Sequence, residues 1–169
     1  MHTVVVVDDS SFKELLDDWD VDVMSMISPM KERYRTLGKL HLLYNYGGMM
    51  LPPSFLVKND PIHLYNRGVS DTGMFVCEAR NTNVSNSISK TYPSMTMMGA
   101  KKESDITNEL IKYVNTSITD NFSNDIEFLG VLETEVLRLI NSKKITMIDG
   151  QMVGIKDKKN NIITIDELL

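Results

Sequence analysis

The chain has 169 residues and a formal net charge of -5, which allows one domain with a real core and gives no general electrostatic pull toward nucleic acid or anionic membrane. Hydrophobic residues make up 42% and charged residues 24%, so the composition is that of a folded domain rather than a disordered or bilayer-inserted chain. The single cysteine, Cys77, cannot form an intrachain disulfide, which fits a reducing compartment and a cytoplasmic location.

Val4 to Val7 is four β-branched residues in a row closed by Asp8 and Asp9. It predicts a buried parallel strand with carboxylates at its C-terminal end, and the acids rule out a signal peptide. Ser10 or Ser11 is placed to cap a short helix with Phe12, Leu15, Leu16 and Trp19 on one face. The acids Asp17, Asp18, Asp20 and Asp22 lack the glycine and terminal glutamate of a calcium loop, so they read as a charged surface loop. The next helix is strongly marked: Ser28 as N-cap, Pro29 at the first helical position, then Met30, Tyr34, Leu37 and Tyr44 at helical spacing with Leu40 or Leu43. Gly47-Gly48 stops it, and Pro52-Pro53 forbids both helix and central strand beyond.

Phe55 to Val57 reads as a short extended piece, Met74 to Ala79 as a strand, Asn81 to Lys90 as an exposed loop and Ser94 to Met98 as another strand. Ser104 caps a helix carrying Ile106, Leu110, Ile111 and Val114, and Ser123 or Asn124 starts a longer one with Leu129, Leu132, Val136, Leu139 and Ile140. At the end, Ile145 to Ile148, Asp149-Gly150 and Met152 to Ile155 carry a hairpin signal, and Asn160-Asn161 turns the chain into Ile162 to Ile165. The lysines are scattered apart from Lys101-Lys102, Lys143-Lys144 and a cluster at Lys156 to Lys159, the last read as a small solvated turn. Cys77, between Val76 and Glu78, reads as a small buried hydrophobe.

The segment Lys39-Leu40-His41-Leu42-Leu43-Tyr44-Asn45-Tyr46-Gly47-Gly48-Met49-Met50-Leu51 resembles the DXD-containing sugar-transferase family, the group that includes glycosyltransferase family 32 and related α-mannosyltransferases. In that family an amphipathic helix ends in Tyr-Gly-Gly and Asp-x-Asp follows a few residues later. The resemblance covers about Val4 to Val114, and its specific part is the helix with its Tyr-Gly-Gly. It implies a GT-A fold: an α/β sheet with flanking helices over 3–142. To this the sequence adds a small C-terminal antiparallel β meander, a β-hairpin extension over 143–169, within a single domain spanning 1–169. The family's opening strand of the nucleotide pocket has no counterpart ahead of Val4, which implies a donor site partly open at that end.

Sugar transfer from a nucleotide donor needs charge neutralised on the leaving diphosphate, which a hard cation held by carboxylates supplies. At the positions matching the family's two aspartates this chain has Pro52 and Ser54, and Met50 stands for its tyrosine. Thr36 and Lys39 match the upstream Asp and Arg, and lysine lacks the bidentate guanidinium fork. The resemblance therefore implies a catalytically inactive glycosyltransferase-like domain with no metal and no cofactor, and a structural, binding or assembly role among other proteins. Lys39, Tyr46, Gly47 and Gly48 are the residues it leaves at a substrate-binding position. The composition suits a large DNA virus, with the chain as a virion component. An exposed apolar patch involving Met49, Met50, Met97 or Met98 is the expected mark of a docking role. The alternative is an active nucleotide-sugar-dependent transferase with a non-standard donor site and an Mn²⁺ or Mg²⁺ cofactor, in which Asp8, Asp9 and Glu78 are catalytic and Lys39 is tested with them. Asp8-Asp9 after four valines also resembles a phosphoacceptor receiver domain, which would need Asp60 at the end of a third strand and a lysine at the end of a fifth, and no apolar strand ending in Lys-Pro follows.

Overall fold

The computed structural model describes residues 3–80, 91–120 and 125–163. Among them the elements run α1 (Ser11–Leu15), a 3₁₀ turn (Val23–Ser25), α2 (Met30–Tyr46), β1 (Gly48–Met50), α3 (Ile62–Val69), β2 (Met74–Arg80), β3 (Thr91–Ala100), α4 (Asp105–Asp120), α5 (Asp125–Asn141) and β4 (Thr146–Ile148). The protein is a mixed α/β fold. Among the described residues a four-stranded open sheet has the order β1-β3-β2-β4, with β3 antiparallel to both β1 and β2 and β4 parallel to β2.

Strand side chains alternate between faces, and β2 shows why the sheet needs cover on both. Met74 and Val76 join Met98 and Ala100 under α2, α4 and α5, packing with Leu40, Leu110, Val114, Val136 and Leu139. Phe75 and Cys77 point the other way, to Met97, Ile148 and Val69 of α3. A third apolar cluster joins α1 to α2 through Phe12, Leu16, Val23 and Leu42. α2 can be approached this closely because Gly38 has no side chain: a Cβ there would stand 2.6 Å from the Phe12 ring.

The helix ends follow the sequence closely. Pro29 is the cap residue of α2 and Met30 its first turn, one position later than expected. Gly47 closes α2 at φ +69, with its N–H on Leu43 C=O at 2.8 Å. Both Leu40 and Leu43 are buried in the cluster under the sheet, since three residues apart they share a helix face, while Leu42 turns to the α1 cluster. Ser104 precedes α4, whose Ile106, Leu110, Ile111 and Val114 are all buried as expected. The loop expected over 81–90 and the cap expected at 123–124 lie outside the described residues, as do 164 and 165 of the last expected strand.

Val4 to Val7 forms no strand. Val4, Val5 and Val6 are 87%, 59% and 89% exposed, and only Val7 reaches the α1–α2 cluster. A β-branched run becomes a buried strand only where a neighbouring ladder and a covering layer receive it; here β1 and β4, the edge strands, leave it unpaired. Phe55 to Val57 is likewise no strand. Phe55 N–H closes a turn on Pro52 C=O at 2.9 Å, and Leu56 is exposed. Without strands at either place, the receiver arrangement has no frame for Asp8, Asp9 and Asp60.

The C-terminal hairpin is also corrected. β4 pairs with β2 in parallel, Phe75 opposite Thr146 and Cys77 opposite Ile148, and tight turns follow. Among the described residues the antiparallel contact there is a single bridge between Lys156 and Ile162. The reason is Glu78. Its carboxylate takes the Gly150 N–H and Lys156, so the chain after β4 is drawn back onto β2 instead of running out along β4.

Candidate functional site

The carboxylates singled out in the sequence sit in two places and serve internal bonds. Asp8 is exposed at the entrance to α1. Its Oδ1 accepts from the Ser10 hydroxyl at 2.7 Å, the Ser11 hydroxyl at 2.9 Å, and both backbone N–H groups at 2.9 and 3.0 Å. These bonds, led by the Ser10 and Ser11 hydroxyls, lower its pKa to about 2. Asp9 turns the other way, onto α2. Arg35 donates to it from Nε at 2.7 Å and from a terminal nitrogen at 2.8 Å, and Lys31 lies 3.2 Å away. The Arg35 hydrogen bonds outweigh burial and hold the Asp9 carboxyl below its usual range.

Glu78 lies on β2 and is 7% exposed. Thr91 and Lys156 donate to one oxygen at 2.5 Å each, and Gly150 N–H to the other at 2.8 Å. Burial alone would raise its pKa; the bonds from Lys156, Thr91 and Gly150 outweigh that and hold it low. Lys156 therefore belongs to a buried pair, not to the solvated turn expected of the cluster at Lys156 to Lys159. The structure places Glu78 with Lys156, and Asp9 with Arg35; the two carboxylates share no partner. Among the described residues no group of three or more His, Cys, Asp or Glu is arranged to hold a metal.

The residues around the end of α2 are structural in geometry. Tyr46 donates its hydroxyl to Leu15 C=O at 2.6 Å, tying the end of α1 to the end of α2. A Cβ on Gly47 would stand 2.8 Å from the Lys102 backbone nitrogen, while Gly48, at φ +98, starts β1 opposite Ala100. Pro52 and Ser54 lie in the turn beyond β1. Lys39 is half-buried; burial, and then the charge of Arg35, lower its pKa.

Met49 and Met50 are half-buried, Met97 and Met98 buried, so the methionine patch expected at the surface is core instead. It fills both sheet faces because β1 and β3 are covered on each. Exposed apolar side chains among the described residues lie elsewhere, including Val4, Val5 and Val6 and three other methionines, Met24, Met147 and Met152.

Sequence reasoning passed over Arg35, whose one signal was an α2 position three residues after Glu32, which also bonds it. It also left apart two lysine pairs that the fold brings to one cleft. A cavity of about 600 Å³ opens where β3 meets α4, lined by Gly73, Ser104, the pairs Lys101-Lys102 and Lys143-Lys144, and four carboxylates that include Glu109. No helix among the described residues is long and apolar enough to cross a membrane. No protein-family model, curated protein or solved structure matches this chain.

Proposed function

We propose that this chain is a non-catalytic α/β domain, of the sugar-transferase-like kind its α2 and Tyr-Gly-Gly resemble, whose work is to bind other proteins. The observation that carries the reading is the internal commitment of the carboxylates. Asp9 is clamped by Arg35 and Lys31, and Glu78 by Lys156, Thr91 and Gly150. A metal would have to displace a bidentate guanidinium at one, or unpair a buried lysine at the other, and the second loss is costly. At the turn beyond β1, where the resemblance puts the metal pair, Pro52 and Ser54 supply no carboxylate. The exposed valines near the N-terminus supply apolar surface for a partner.

Thermal melting with UDP- and GDP-sugars, with and without Mn²⁺, tests the reading. Ligand binding to the native state raises the melting temperature by mass action. No shift at millimolar ligand is expected. A metal-dependent rise would overturn the proposal and make Asp8, Asp9 and Glu78 the residues to mutate next.

A further inference from the structure

The cleft beside α4 carries a feature that the binding role above does not use. α4 is sixteen residues long, and its N-terminus opens into this cleft. The leading N–H groups of a helix have no carbonyl one turn back; here Asn108 N–H is the first to find one, on Ser104 C=O at 3.1 Å. A serine before a helix ordinarily turns its hydroxyl onto one of those N–H groups. Ser104 does not. It is 9% exposed, lines the cleft, and its Oγ has no hydrogen-bond partner among the described residues. Gly73 makes room for it, since a Cβ there would stand 3.1 Å from Ser104 Oγ. Ser104, enclosed but for its reach into the cleft, and the first residues of α4, Asp105 and Ile106, thus line the same space.

We propose that this cleft binds one compact oxyanion, a phosphate group, with Ser104 Oγ and the N–H groups at the start of α4 as donors. The charges on the rim set the size of the ligand. Its lysines and carboxylates balance in number, and Lys144 is already taken by Glu109 at 3.0 Å. A balanced rim offers no extended field for a polyanionic strand. Recognition then rests on short directional bonds, which select a single phosphate.

The test is a titration of the ¹⁵N-labelled full chain with inorganic phosphate at constant ionic strength, with chloride as control. Saturable shifts centred on the amides of Asp105, Ile106 and Thr107 are expected. Ser104→Gly, tolerated at a helix start, should weaken phosphate binding about tenfold, the loss of one hydrogen bond to a charged group. Ser104→Ala, which keeps the Cβ, should show the same loss and serves if the glycine variant does not fold. Shifts that fail to saturate, that scatter over surface lysines, or that persist unchanged without the hydroxyl would overturn the proposal. A parallel titration with glycerol phosphate separates the sources. Tighter binding than inorganic phosphate assigns the site to a phosphomonoester, and equal binding assigns it to free phosphate; either supports the site if Ser104 is required.

Discussion

Phe75 fills space that two glycines leave. A Cβ at Gly68 would stand 2.3 Å from its ring and one at Gly99 2.4 Å, while Tyr65 packs edge-on at a centroid distance of 6.5 Å. Such a site cannot relax without moving the sheet or α3, because interiors are packed to crystal-like density. Gly68→Ala is expected to lower stability by about 1–3 kcal/mol despite its better helix propensity. Chemical denaturation of the two proteins decides it: an unchanged or raised midpoint would show that the ring moves aside. At this scale the sequence was only partly readable. Cys77 as a buried hydrophobe followed from its apolar neighbour Val76, whereas nothing local to Gly68 or Gly38 announces an aromatic ring arriving from another element.

The elements depend on a few polar latches. Glu78 and Lys156 lie 78 residues apart and join the segment after β4 to the centre of the sheet. Glu78→Gln removes the carboxylate from a lysine whose side chain is only 12% exposed, so a loss of about 3–5 kcal/mol is expected by thermal or urea unfolding. The pH dependence has a definite sign. A carboxyl held below its ordinary value of 4.5 in the folded chain contributes stability that is present above that pH. That contribution is lost as pH falls below 4.5 toward the folded value. Glu78→Gln should flatten this acid limb, and an unaltered limb would assign it to other carboxylates. Strands β2 and β3 and helices α2 and α4 were legible because apolar pattern and end signals agreed. Val4 to Val7 and the expected hairpin misled for one reason. A β-rich run specifies willingness to pair, while the partner is chosen elsewhere in the chain, by Glu78 in the second case.

For the molecule as a whole, the sheet is covered on both faces, and the valine run sits apart from that core. Val4 and Val6 contact too little to matter to folding, so a Val4→Asp, Val6→Asp double variant should keep its melting temperature to within about 0.5 kcal/mol of stability. If this is the partner-facing surface, the same variant should remain more soluble at high concentration and lose any concentration-dependent association seen by sedimentation. A large drop in melting temperature would place these valines in the folded core instead. The lone thiol gives the fold a clock. Cys77 lies in β2, between two strands and 2% exposed, and burial pushes its pKa up to about 12. A thiol in that state reacts with an alkylating reagent only while the central strand is out of the sheet. The rate at which a folded sample takes up iodoacetamide therefore counts openings of the innermost ladder, one cysteine per molecule, without an added probe.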